Sequence, residues 1–150
     1  MQNKSVVVEV RSVFDDENYF QLFNIEMSYF IDKEKLNCQY LKLCAAVNSS
    51  IIKSKNSVEK EFFESYLSML NTGRDILLDD ISRAELIFRF KDIFPEKPNN
   101  EFFTMILSND FDKQSCIESV KCKITDAFYN NDLQQAANYV SKLKFLLKSR

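Results

Sequence analysis

The stretch YLKLCAAVNSSIIKSK, residues 40–55, decides how the first half of the chain is read. Leu36, Tyr40, Leu43 and Val47 recur at i, i+4, i+7 and i+11, one apolar stripe on a helix. Asp32 stands where an N-cap belongs. The stripe stops at Asn48-Ser49-Ser50, so the pattern predicts a helix ending near Val47 and a connecting loop from 48 onward. Beyond it, Ser57 is a candidate cap for a third helix, with Phe63, Tyr66, Leu67 and Leu70 as its stripe. That helix is expected to continue through Gly73 to about Leu77, with Gly73 marking a close helix contact rather than an end. Leu43 should then face Leu67 and Leu70 across two long helices joined by a loop.

Working outward, Asp15-Asp16-Glu17 places acids before a short helix in NYFQLFN, where Tyr19, Leu22 and Phe23 give one apolar face. Asp79-Asp80 opens a fourth helix, ISRAELIFRFKDIF. PEKPNN, residues 95–100, holds both prolines of the chain and reads as a linker. After it come a short segment, EFFTMIL, and two longer amphipathic ones, KQSCIESVKCKITDAFY and DLQQAANYVSKLKFLLKS. In the last, Leu133, Ala136, Ala137, Val140, Leu143 and Leu147 form the stripe, Asp132 the cap, and Asn130-Asn131 the preceding turn. Residues 1–16 fit no helical period; VVVEV has β propensity without an obvious partner strand, so they read as an extension. The expected organisation is an extension over 1–16, one unit over 17–94, a linker at 95–98 and a three-helix unit over 99–150.

Composition agrees with an all-α fold. The 150 residues include 1 Gly and 2 Pro, with no Asn-Gly turn, and 45% are hydrophobic. The absence of His excludes Ser-His-Asp and Cys-His catalysis, and one Gly cannot build a phosphate-cradling loop. Cys38, Cys44, Cys116 and Cys122 lack Cys-x-x-Cys spacing and fall in helical patterns, so they read as reduced, half-buried structural thiols, with no metal or cofactor. A net charge of -2 points to no nucleic acid. No apolar run spans a membrane and no signal peptide is recognisable, so the expectation is a soluble cytoplasmic protein.

Four stretches, in order, carry a family resemblance. NYFQLFNIEMSYFID is similar to the opening DYFxLFGLPxxYxLD of HscB-type J-proteins, the co-chaperones of iron–sulfur cluster assembly. LNTGRDILLDDISRAELIF resembles the J-domain's INxAYxxLxxPxxRAxYLL, with Asn71, Leu77, Arg83, Ala84 and Leu86 in matching places. NNEFFTMIL resembles the start of the family's C-terminal domain, and NDLQQAANYVSKLKFLLK its last helix, xxWxxAxxxVxKLxFLxK. The resemblance covers about residues 17–148. It implies a J-domain-like helical hairpin followed by a C-terminal three-helix unit, and a co-chaperone rather than an enzyme, with an HscA-type chaperone and an IscU-type cluster scaffold as partners.

Laid along that pattern, Asn48, Ser49 and Ser50 fall where the family's trigger of chaperone ATP hydrolysis, His-Pro-Asp, belongs. The triplet is therefore a degenerate chaperone-contact loop, or a plain solvated connector. Past Lys33 and Lys35 the preceding helix keeps one base, Lys42, although residues 33–60 hold six Lys against two Glu. By position, the family's scaffold-binding residues map to Phe103, Thr104, Leu107, Ser108 and Phe145. Thr104 and Ser108 replace a Met and an acid of the family pattern. Phe102, Met105 and Ile106 point elsewhere on that helix, giving two apolar faces: one is a partner surface, or both pack on the first unit. Arg83-Ala84-Glu85 reads as structural. The rival function is a motif-less interaction module that binds or sequesters the scaffold without driving a chaperone cycle; an unrelated helical enzyme is improbable without His and Gly.

Overall fold

The computed structural model describes residues 18–149. The extension over 1–16, its VVVEV run and the acids Asp15 to Glu17 lie outside the described residues. Seven helices and no strand make up the described chain: α1 Tyr19–Leu22, α2 Lys33–Ile52, α3 Ser57–Leu78, α4 Asp80–Phe90, α5 Asn100–Ile106, α6 Lys113–Tyr129 and α7 Leu133–Lys148. The all-α expectation holds.

Acidic and amide side chains start the helices. Asn18, Asp32, Asn56, Asn99, Asp112 and Asp132 each accept from the first-turn backbone N–H groups that have no partner inside the helix. Asn56 takes the role expected of Ser57, which is already the first helical residue. Asp79 does the same for α4, accepting from Ser82 N at 2.9 Å. Three helix ends turn through Asn24, Asp92 and Asn131, all with φ between 52° and 56°. At each, the next N–H reaches back to a helix carbonyl: Ile25 to Phe20, Ile93 to Phe88, Asp132 to Ala127. Asn and Asp tolerate this left-handed conformation better than other non-glycine residues, so a chain with one Gly still closes its helices.

The described chain falls into two compact units dividing between Arg83 and Ala84. In the first, α2 and α3 form an antiparallel hairpin, with Asn37 meeting Arg74 and Tyr40 meeting Asn71. Leu36, Val47, Leu70 and Leu77 are buried in it, while Leu43 and Leu67 are half-buried. Arg74 lies 4.9 Å over the Tyr40 ring and donates from Nε to Asn37 Oδ1 at 3.2 Å. The neighbouring Cys44 thiol raises the Tyr40 phenol above its ordinary pKa, with burial adding to the shift. Short α1 lays Tyr19 against Gly73, where an added Cβ would sit 2.5 Å from a Tyr19 ring carbon. Gly73 is thus the close contact that its place inside a helix implied. Of the face expected on α1, Tyr19 and Phe23 are buried with Phe20, and Leu22 only partly.

Arg83 closes this unit. It is 4% exposed and donates to Tyr29 O, Leu77 O and Asp80 Oδ1, each at 2.7 Å, with its guanidinium over the Tyr29 ring. The structural reading of that residue holds.

In the second unit α6 and α7 pack Ile117, Val120, Ile124 and Ala127 against Ala136, Ala137, Val140, Leu143 and Leu146. Leu146, not the expected Leu147, completes the stripe; Leu147 is 52% exposed. The joint was expected at 95–98, yet the compact units divide about one helical turn into α4. The reason is local. Phe88 stacks on Phe128 at 5.6 Å and Glu85 accepts from Lys144 Nζ at 2.9 Å. Asn138 and Gln134 of α7 hold the backbone of Glu96 and Phe94. The proline segment is therefore strapped along α7.

Candidate functional site

Two regions carry the expected site residues. The first is the end of α2. Asn48, Ser49 and Ser50 are not in a loop: α2 runs through them to Ile52, about a turn past the expected end. The physical cause is visible in the bonds. Position 49 holds Ser, so its N–H is available and no ring clashes with the carbonyl four residues back, as a proline there would. Lys53 N donates to Ser49 O at 3.1 Å, so the ladder closes. Ser50 Oγ donates to Ala46 O at 3.0 Å and Ser54 Oγ to Ser50 O at 2.9 Å, which ties both hydroxyls to the helix itself. The connector is the short tip between Ile52 and Ser57. Asn48, Ser49 and Lys42 are exposed, with Ser50 half-buried. Nothing among Asn48, Ser49 and Ser50 can donate or accept a proton near neutral pH as an imidazole or carboxylate does. Ile52 and Val58, 84% and 75% exposed, flank the tip; the sequence reading assigned them nothing.

The second region is on α5 and α7. Asn99 caps α5 by accepting from Phe102 N at 3.0 Å, which fixes the helix phase. Phe102 then turns inward and is buried, while Phe103 and Thr104 face out. Phe103 meets Phe145 of α7 edge to face, centroids 5.0 Å apart, and both rings contact Phe102 at about 6 Å. Phe103 is 36% exposed, Phe145 39% and Leu107 83%. Leu107 ends α5 one turn beyond Phe103, its N–H donating to Phe103 O at 3.2 Å. Thr104 and Ser108 are exposed beside them. The structure thus brings Phe103 and Phe145 into contact and leaves Leu107, Thr104 and Ser108 in solvent along the same short helix. Phe111 falls in the turn before α6, its N–H donating to Ser108 O.

Segment 96–118 has five carboxylates against two lysines. Asp112 caps α6 by accepting from Ser115 Oγ and N, and those bonds hold its carboxyl below the usual range. Phe145 also lines an open, mostly apolar groove of about 460 Å³ with Phe88, Ile93, Phe94 and Val140. Sequence reading missed it because it placed Phe94 at the end of the fourth helix and Pro95 in a linker. Cys38 and Cys122 are exposed rather than half-buried; Cys44 and Cys116 are half-buried, and all four are free. No group of metal ligands and no helix long and apolar enough to cross a membrane exists among the described residues.

No family model matches the chain. Among curated proteins it is 26% identical to an HscB co-chaperone homologue of Shewanella amazonensis, covering 87% of this chain and 91% of that one. It is 24% identical to the human iron–sulfur cluster co-chaperone HscB, covering 85% of this chain and 63% of the human protein. Among solved structures, HscB from Vibrio cholerae superposes with a TM-score of 0.67 at 17% identity, over 87% of this chain and 91% of that one. Human HscB gives 0.66 at 22% identity, over 87% and 77%. These structures establish the fold. With sequence likeness running along most of the chain as well, the protein is a homologue of the HscB co-chaperones.

Proposed function

We propose that this protein is a cytoplasmic co-chaperone homologue in the maturation of iron–sulfur proteins. It binds an IscU-type scaffold through its C-terminal three-helix unit, residues 99–150, and meets an HscA-type chaperone through the J-domain-like segment 17–94. It catalyses nothing itself and holds no cofactor. The observation that carries the reading is the exposed aromatic pair Phe103–Phe145 with Leu107 beside it, at the positions that bind scaffold in HscB-type proteins. Apolar side chains clustered at a surface are commonly an interface, and burying each fully against a partner is worth roughly 1.5–3 kcal/mol. Glu101, Asp110 and Asp112 nearby would speed encounter with a basic scaffold surface.

The chaperone half of the cycle is weakened in this reading. Asn48, Ser49, Ser50 and Lys42 offer helix surface and one cation where the family has its trigger. The continuation of α2 through that triplet favours a second reading: an interaction module that binds or sequesters scaffold without driving chaperone turnover. Titration of a purified IscU-type scaffold tests what the two readings share. Phe103→Ala with Leu107→Ala should weaken binding at least about tenfold, which is ~1.4 kcal/mol, with circular dichroism unchanged. Unchanged affinity, or a much lower melting temperature, would return these residues to the core and remove the scaffold site.

A further inference from the structure

Beyond the aromatic patch lies a feature that the co-chaperone reading leaves unused. Tyr139 of α7 carries two ammonium groups over one ring: Lys142 Nζ at 5.3 Å from its centroid and Lys123 Nζ of α6 at 5.6 Å. Lys142 is also 5.8 Å from the centroid of Phe102, whose ring touches Phe103 and Phe145. The ridge therefore begins where the apolar patch ends. Two other lysines of this unit have oxygen partners: Lys144 meets Glu85, and Lys113 donates to Ser149 O. Among the described residues neither Lys123 nor Lys142 is paired with a carboxylate.

Both line an open cleft of about 610 Å³ whose lining also includes Glu101, Asp110 and Asp112. Asp112 is engaged in capping α6, so it is directed to Ser115 rather than to the lysines. The lining thus mixes two lysines, on α6 and α7, with Glu101 on α5 and with Asp110 and Asp112 in the turn into α6. Cation–aromatic contact holds the ammonium groups in place without neutralising them. Two like charges over one ring repel, and an anionic group seated between them relieves that repulsion.

We infer that Lys123, Tyr139 and Lys142 form a carboxylate-reading subsite that extends the Phe103–Phe145 patch. Its occupant is an Asp or Glu side chain of the scaffold protein, placed next to the apolar residue that seats on the two rings. This rests on the scaffold-binding reading above. Charge complementarity to the two ammonium groups selects the occupant, and Glu101 and Asp110 elsewhere in the cleft lining disfavour a carboxylate seated away from them.

The test is calorimetric titration of the full chain with a purified IscU-type scaffold at low and at physiological ionic strength. Lys123→Met with Lys142→Met keeps the apolar stems and removes both charges. Affinity at low salt should fall about tenfold, and its salt dependence should shrink. Lys123→Arg with Lys142→Arg should bind as the parent does. If the Met pair folds poorly, Lys123→Gln with Lys142→Gln reads the same loss of charge. Neutral variants that bind within about twofold of the parent at both salt levels, or bind more tightly, overturn the subsite. Loss of affinity in Phe103→Ala with Leu107→Ala alongside that result leaves the scaffold reading standing; no loss in either set removes both.

Discussion

The end of α2 and the Phe103–Phe145 patch are the two surfaces through which an HscB-type co-chaperone is expected to act, and the chain treats them differently. At the patch Thr104 and Ser108 stand where the family resemblance implies a Met and an acid, and two rings and Leu107 are exposed. At the end of α2 the helices form an antiparallel hairpin, and Asn48, Ser49 and Ser50 are helical: no proline interrupts them, so α2 continues to Ile52. A contact made by apolar area tolerates substitution, because area is not tied to one atom. A contact made by an imidazole, a rigid ring and a carboxylate in fixed order does not.

The largest effects should separate core from surface within the second unit. Leu146→Ala removes a fully buried side chain and should cost about 2–5 kcal/mol in a urea melt. Leu107→Ala, in a residue 83% exposed, should stay within about 0.5 kcal/mol. Equal costs for both would erase the distinction between patch and core.

Ser49→Pro comes next, and it probes the other region. A proline inside α2 removes the Ser49 N–H bond and crowds Ala45 O, so up to about 3 kcal/mol should be lost. Alternatively the last turn unwinds and α2 ends near Val47, with a smaller cost and a measurable drop in helical circular dichroism. No change in either stability or helicity would contradict the explanation given for the long α2.

Much of this was legible in the sequence. Asp32 and Asp132 lie where short polar side chains start helices, and the stripes of α2 and α3 have the right period, so the hairpin follows. The position of Gly73 inside a helix announced a close neighbour, and Tyr19 is that neighbour. The end of α2 was misjudged because Asn and Ser are common in turns. The triplet remains helical here, with the Ser50 hydroxyl bonding back to Ala46 O, the Ser54 hydroxyl to Ser50 O, and nothing removing an N–H. The bonds that strap residues 94–96 to α7 were not legible for a different reason. Prolines announce a change in chain direction, but whether the segment swings or is strapped depends on Gln134 and Asn138, some forty residues away. The lysines over Tyr139 were invisible for the same reason: α6 and α7 must pair before Lys123 and Lys142 meet one ring.

The smallest expected effect is in acid. The Asp112 carboxyl is held below its ordinary pKa by Ser115, so its contribution to α6 is present above the unfolded-state pKa. It fades as the pH falls through the lower, folded-state value. Asp112→Asn keeps an acceptor at the cap and should flatten that part of the pH–stability profile without moving the neutral-pH melting temperature much. An unchanged acid limb in the variant would show that Asp112 plays no part in it.

The proposed contrast, a docking patch kept and a trigger lost, is tested most directly by ATP turnover of an HscA-type chaperone in the presence of scaffold, with and without this protein. The account predicts turnover close to the basal rate with the natural chain. It also predicts a clear rise when His-Pro-Asp is restored by Asn48→His, Ser49→Pro and Ser50→Asp, with scaffold affinity unchanged. Strong stimulation by the natural chain would mean that the exposed end of α2 acts without imidazole, proline or carboxylate, and the lost-trigger account would be wrong.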